Sequence, residues 1–564
     1  MAARLAPYLL PLAAGAVVGL ALACLLAPIR WDDQSFYIYA APHLLDGYRL
    51  YSPDLQDTNP PLIAWMTMIP ALLARLSGLS LETSFILFVA LMACIAIAWS
   101  LRLAAKPGQP ATPAASAFLV WLAVALVYAT VILPNVKWKL DQAFDAFGMA
   151  LRYDFGQREH LLSLLVLPYL FAAARRVDGR RVSAAEGALI GVVAALGFCL
   201  KPQYLTVAAA VEALVALRAR SLSALVRPEV VALVVTGLGY CAAVWIITPQ
   251  YFTEVIPVVA TVYGDFSRKT AWEVMTASKV HFAVVAAGVL ALVLAGRSDA
   301  KHRASVFLAA GAAAFVSFLL QGKGWSDHLL PAETFVVVAL ALSAFGWLLQ
   351  RRRHDGDTPE RVAPRRAALA TTAALAGAVV FGLCFPAREA LWADSDYARQ
   401  LAEAEDATTG FPPGTAFVTL ADGIYSQFDF ALDRGFVWAS RYPFLLLPPR
   451  IIRESADPPA TVRSAGYFLI PDLLGTRGAG PDPRAYAAML RAHVTEDFSR
   501  WRPAVVFVQR CDDPVAEPCT FGAGFRIVDW LSADPAFAAL WSNYRFSRRV
   551  ERFDMFVATE RTAR

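Results

Sequence analysis

The sequence is short of charge. Only 17% of its 564 residues are Asp, Glu, Lys or Arg, where a soluble domain carries about a quarter. Apolar residues make up 57%, and the mean hydropathy is +0.48. That composition excludes an ordinary soluble protein and fits a chain dissolved in lipid. The net charge of +5 is small for the length. Much of the arginine falls in short loops between apolar runs, so it reports topology rather than nucleic-acid binding. Several motifs are missing altogether. There is no His-Glu-x-x-His, paired Cys-x-x-Cys, Gly-x-Ser-x-Gly or Walker sequence, which removes support for proteases, zinc sites and ATPases.

Cysteine is scarce, with seven in all. Cys24, Cys94, Cys199, Cys241 and Cys384 lie in or beside apolar segments and read as packing residues. Cys511 and Cys519 flank the polar stretch Asp512–Pro518. They can close a small disulfide loop in an oxidising compartment or remain two free thiols. Near the N-terminus, Ala21-Leu22-Ala23-Cys24 resembles a lipoprotein cleavage box, but Ala21 sits where Leu is wanted. The apolar run from about Pro7 to Pro28 is long enough to cross a bilayer, so an uncleaved first helix is expected.

Apolar runs follow at 84–104, 114–134, 160–175, 185–200, 202–217, 230–248, 280–296, 304–321, 331–349 and 367–385. With the first they predict a polytopic α-helical membrane protein of about eleven transmembrane helices. The run 62–76 is punctuated by Pro60, Pro61 and Pro70 and reads as a re-entrant or interfacial helix. One set of loops holds Arg102 and Lys106, Arg175 to Arg181, Arg218 to Arg227, Arg297 to Arg303, and Arg351 to Arg366. These are expected to be cytoplasmic. The alternate loops are longer, aromatic and chemically mixed, so the chemistry is expected outside. An odd number of spans places 386–564 outside as well, leaving 1–385 as the membrane domain. In 386–564, candidate strands Thr415–Leu420, Arg434–Trp438, Ala504–Gln509 and Arg552–Ala558 alternate with helical patterns at Pro483–His493 and Pro535–Ser542. The mixture predicts a small extracytoplasmic α/β domain.

Four outer constellations carry chemistry. Asp32 and Asp33 open a segment whose Phe36, Tyr37, Ala40, Leu44 and Leu45 fall at helical spacing before Gly47. Paired acids there can serve as a general base or simply favour a helix N-terminus. Arg152, Asp154, Arg158, Glu159 and His160 crowd the outer end of one span. Such a cluster serves a site or seals itself as an ion network. Lys201 precedes Pro202 between two spans; it either snorkels or faces a ligand. In Gln321-Gly322-Lys323-Gly324-Trp325-Ser326-Asp327-His328, two glycines let backbone N–H groups approach a phosphate beside Lys323. A fifth segment, 249–279, with Arg268 and Lys269, is either a flap over a site or an ordinary loop.

The string Asp32-Asp33, Gly47, Leu50-Tyr51, Asn59-Pro60-Pro61-Leu62 and Trp65 resembles the first outer loop of GT-C glycosyltransferases. The protein O-mannosyltransferases and lipid A aminoarabinose transferases are similar in pattern. The resemblance implies a GT-C fold, with Asp32 as base, Asp33 beside it and Asp154 as a second acid. It implies a polyprenyl-phosphate sugar as donor, contacted by residues drawn from Tyr37, Asn59, Arg158, Glu159, His160, Lys201, Arg268, Lys269, Lys323, Trp325 and His328. Asn59 stands where the aminoarabinose group has a phosphate-holding Lys, so that work falls to another cation. No metal or other cofactor is expected, although Asp32 and Asp154 could share a divalent cation as in oligosaccharide-transferring relatives. The expected acceptor is an envelope lipid, glycan or protein, and the expected location is the bacterial inner membrane with the site facing the periplasm. The rival readings are a flippase for lipid-linked sugars and an envelope assembly protein. The first is disfavoured because no inverted repeat is visible and mid-span charges are few.

Overall fold

The computed structural model describes residues 2–26, 32–105, 113–138, 149–263, 269–298, 300–354, 366–447, 451–452, 482–512 and 519–559. The chain forms two compact units. One comprises Met1–Ile29, Glu82–Cys241 and Lys269–Trp392; the other comprises Arg30–Leu81, Ala242–Arg268 and Ala393–Arg564.

The first unit is a helical bundle. Among the described residues of the whole chain, nine helices are long and apolar enough to cross a membrane. Two further expected spans also form helices. Ala184–Leu200 has 17 residues and Leu205–Ala219 has 15, both shorter than a full crossing. The helix Arg158–Val177 is central: 78% of its apolar window is buried, against 6% for Pro228–Ile247. It packs against Ala184–Leu200, Lys301–Gln321 and Ser326–His354. Tyr169, Phe198, Phe307, Phe318 and Phe335 fill the core between them. The first helix, Ala2–Leu26, meets Arg366–Ala393 through small residues. A Cβ at Gly15 would stand 2.0 Å from the Ala373 carbonyl oxygen, and one at Gly19 would stand 2.1 Å from that of Gly377. Only glycine spaced four residues apart permits that approach, and in lipid close backbone packing drives association. A short antiparallel ribbon, β1 (Val136–Trp138) and β2 (Met149–Leu151), precedes the central helix.

The second unit is α/β. Its sheet contains β3 (Ala416–Leu420), β4 (Val437–Trp438), β5 (Val505–Gln509), β6 (Tyr544–Val550) and β7 (Phe553–Ala558), ordered β4-β3-β5-β7-β6. β3 is parallel to β4 and β5, while β7 is antiparallel to β5 and β6. β5 is buried at every residue, as a strand covered on both faces must be. Phe417, Phe430, Phe436 and Phe507 form one aromatic cluster beneath the sheet. Each of the four strands expected from the sequence is present, with ends shifted by one to three residues. The helices Pro483–Trp501 and Pro535–Trp541 are present as well. Cys511 and Cys519 are joined in a disulfide.

The first outer loop belongs to this unit. It forms the expected helix, Asp32–Leu45, followed by Leu62–Ser77. Ser35 Oγ donates to Asp429 Oδ1 at 2.5 Å. The Trp438 amide donates to Tyr39 Oη at 2.8 Å, and the Gln56 amide to the Arg441 carbonyl at 2.7 Å. The helix is therefore fastened to β4 and to Gln427–Arg434 by buried hydrogen bonds as well as by the Phe36–Phe428 contact.

Candidate functional site

Three chain segments bring charge together in the helical unit. The first is the turn leading into Arg158–Val177. Arg152 reaches across it, pairing with Asp154, donating to Glu333 Oε2 at 2.5 Å and giving a further hydrogen bond to the Ser326 carbonyl at 2.7 Å. All three charged groups are buried. Burial pushes the Asp154 carboxyl above the usual range, against the pull of Arg152. Glu333 is not singled out by sequence pattern, because its partner lies 181 residues away.

The second group is centred on Glu159, which is fully buried one residue into the helix. Lys201 Nζ lies 2.6 Å from Glu159 Oε1 and 3.3 Å from His328 Nε2. His328 Nε2 is also 3.5 Å from Glu159 Oε1 and 3.6 Å from Asp327 Oδ2. Lys201 occupies the break between Ala184–Leu200 and Leu205–Ala219, where Pro202 cannot continue the helix. Tyr204, just beyond, donates its hydroxyl proton to the His328 carbonyl, closing the same junction. Lys201 closes an ion pair with Glu159 Oε1, and Glu159 Oε2 has no hydrogen-bond partner among the described residues. Because the Lys201 ammonium can only donate, His328 Nε2 accepts and the ring proton sits on Nδ1. Nδ1 is buried with no acceptor among the described residues. The group therefore holds a donor in reserve.

Arg158 and Lys323 are also buried. Gly322 and Gly324 take φ of 64° and 72°, conformations that suit glycine. They turn the chain so that Lys323 stands over the Trp325 ring, 5.9 Å from its centroid. Lys269 is exposed, and its amide donates to the Gly322 carbonyl at 2.7 Å. His160 has a different task. The Gly156 amide donates to its Nδ1 at 2.9 Å, so Nε2–H donates to the Thr130 carbonyl at 2.7 Å. Both nitrogens are spent on backbone, which leaves His160 to hold the turn rather than touch a ligand.

Glu159, Asp327 and His328 each offer a ligand atom, all within 4.8 Å of one another. The Lys201 ammonium already neutralises the shared face of Glu159 and His328.

The remaining predicted residues lie in the other unit. Asp32 opens its helix and Asp33 is half-buried. Tyr37 donates to Asp57 Oδ2 at 2.8 Å, while the Asn59 amide donates to Asp57 Oδ1 at 2.9 Å and to Tyr37 Oη at 3.1 Å. Asn59 is thus tied to Asp57, a buried acid that sequence pattern does not single out. Arg268 lies outside the described residues.

Two solved structures have the same architecture. The crystal structure of ArnT from Cupriavidus metallidurans bound to undecaprenyl phosphate matches over 98% of each chain, with a TM-score of 0.52 and 13% identity. The structure of ArnT from the same organism in the apo state matches over 96% of each chain, with a TM-score of 0.50 and 12% identity. No protein-family model matches the chain, and no curated protein does. At such low identity the likeness concerns the fold. The GT-C architecture that the outer-loop resemblance implied is the architecture of this chain.

Proposed function

We propose that the chain is an integral-membrane glycosyltransferase. It moves a monosaccharide from a polyprenyl-phosphate donor to an envelope lipid, glycan or protein on the periplasmic face of a bacterial inner membrane. The observation that carries this reading is the buried group of Lys201, Glu159 and His328, with Arg158 and Lys323 buried beside it in the chain, in a bundle of ArnT architecture. Ionisable groups gathered and buried at one end of a membrane bundle are costly and mark a functional site. That the ArnT structure was solved with undecaprenyl phosphate supports a lipid phosphate as the ligand of such a site. The disulfide Cys511–Cys519 supports an oxidising compartment for the α/β unit.

In the proposed reaction Asp32 removes the proton from the acceptor hydroxyl or amine, with Asp33 beside it. The acceptor atom bonds to the anomeric carbon, and the bond from that carbon to the phosphate oxygen breaks. The lipid phosphate leaves with the electron pair, and the configuration inverts. Arg158, Lys201 and Lys323 stabilise the charge developing on the leaving phosphate. Lys269 and Arg268 are assigned to the donor phosphate from the sequence, and Trp325 offers a face for the sugar. Asp154, tied to Arg152, is the second acid of the site. The chemistry draws on no divalent cation.

The test is transfer from labelled polyprenyl-phosphate sugars by purified protein in liposomes, with mass analysis of envelope glycans in cells with and without the gene. Asp32→Asn is expected to abolish transfer. Near-normal transfer by that variant would remove Asp32 as base. Movement of labelled lipid across the bilayer without its consumption would replace the whole reading with transport.

A further inference from the structure

The second feature of the bundle lies at the opposite end of Leu205–Ala219. A groove of about 790 Å³ is lined by Ala209, Ala213, Ala216, Leu217, Arg220 and Leu222, with Glu212 on its wall. Ala209, Ala213, Leu217 and Arg220 form an exposed stripe along the helix at turn spacing. The short turn Leu222–Leu225, entered from Ser221, closes the groove below. Leu217, Leu222 and Val226 are each about three-quarters exposed, at 75%, 77% and 74%. Beside them Arg220, itself part of the lining, is exposed, and among the described residues it is not paired with a carboxylate.

Glu212 does not supply that charge. Both its oxygens are occupied by Arg227 at 2.6 Å, and Oε1 also accepts from Tyr169 at 2.6 Å. The groove therefore presents hydrocarbon along its floor and net positive charge at its mouth. A gap walled by alanine and leucine gives water no partners, so hydrocarbon fills it best. A basic side chain at the lipid–water boundary attracts an anionic headgroup. One molecule answers both demands.

We propose that this groove binds an anionic glycerophospholipid. One acyl chain lies along Ala209, Ala213 and Ala216, and the phosphate meets Arg220. The site lies on the arginine-rich side of the bundle and does not depend on the proposed reaction.

The test uses the purified full chain in detergent, titrated with phosphatidylglycerol or phosphatidylethanolamine and read by native mass spectrometry. The wild type should retain phosphatidylglycerol about fivefold more tightly than phosphatidylethanolamine, and less so in high salt. Arg220→Gln should weaken phosphatidylglycerol roughly fivefold, the loss of one arginine contact to an anionic headgroup. Ala213→Leu keeps Arg220 and fills the floor, so it should also lose the lipid while melting like the wild type. Retention of phosphatidylglycerol by either variant would overturn the proposal. Equal binding of phosphatidylethanolamine would overturn the charge selection. Displacement of phosphatidylglycerol by polyprenyl phosphate at equimolar concentration would reassign the groove to the donor lipid.

Discussion

The two ends of the central helix, Arg158–Val177, handle buried charge in opposite ways. At the Val177 end, Arg176 grips both oxygens of Glu229 at 2.9 and 3.1 Å, and Arg227 grips both oxygens of Glu212. All four carboxylate oxygens accept hydrogen bonds, so the acids at that end are closed, while Arg227 Nε and Nη1 stay buried without a hydrogen-bond partner among the described residues. At the Arg158 end, Glu159 pairs with Lys201 through one oxygen and leaves the other unmet, and His328 Nδ1 is buried without a hydrogen-bond partner among the described residues. The helix rises roughly 25 Å between the two, within one bundle and under the same solvent constraints. A network whose acids are all met secures packing and has no acceptor left to offer. An open one keeps binding capacity at the expense of stability, which is reasonable only where a ligand arrives. The difference separates a structural ion network from a functional one.

The largest expected effect tests the closed end. Arg227→Ala leaves Glu212 buried with only Tyr169 and removes the neighbour of Glu229 at 3.5 Å. Breaking a buried pair from one side costs about 3–5 kcal/mol, so the melting temperature in detergent should fall steeply. Transfer per folded molecule should not change. An unshifted melt would mean that the closed end is not holding the bundle together.

A second closed network in the α/β unit gives a pH-dependent version of the test. Asp497 accepts from Arg441 Nε at 2.8 Å, from the Arg441 amide at 2.9 Å and from Ser440 Oγ at 3.3 Å. Burial nonetheless outweighs these bonds and raises its carboxyl from 3.8 to about 6. The folded state therefore binds a proton more tightly than the unfolded chain. Stability should decline as pH rises from about 4 to about 6, by roughly 3 kcal/mol, and be flat beyond. Asp497→Asn should remove that slope in a melt-against-pH series. A slope of the opposite sign would show that Arg441 dominates over burial.

Much of this was legible in the sequence, for definite physical reasons. Spans show because lipid demands long apolar runs, and β3, β5 and β7 show because they are apolar and short. The strand β6 does not: its Arg545, Ser547, Arg548 and Arg549 break alternation, it lies at the sheet edge, and its register shifts between Phe546 and Arg548. The charged turn at Arg152–His160 stood out by crowding. Its resolution into a holding residue, His160, and an open group, Glu159, did not, because each role depends on partners such as Thr130, Lys201 and His328 that lie far off in the chain. Glu333 was hidden for the same reason, its partner Arg152 lying 181 residues away.

The open end is tested by removing its pair together. Glu159→Gln with Lys201→Met replaces a buried ion pair by neutral groups of similar length, a change that is often near neutral for folding. The melt should stay within a few degrees of the wild type. Transfer should fall about 100-fold, or about 2.7 kcal/mol. The same double exchange at Glu212 and Arg227 should leave both quantities nearly unchanged. If the two double variants behave alike, the ends of the helix do not differ in role.

The smallest effect concerns His328 alone. Its Nδ1–H is the donor left over once Nε2 has accepted from Lys201. His328→Phe keeps the ring volume and its packing near Trp325, whose ring centroid lies 5.2 Å away, but removes both nitrogens. A hydrogen bond to a charged acceptor contributes about 1.5–3 kcal/mol, and part of that is offset because the wild-type donor is unsatisfied before the ligand arrives. A rise of about tenfold in KM for the lipid-phosphate donor is expected, with kcat little changed and the melt level or slightly raised. A fall in the melt with KM intact would instead place His328 with Glu212 and Glu229, as part of a network that happens to lack one bond.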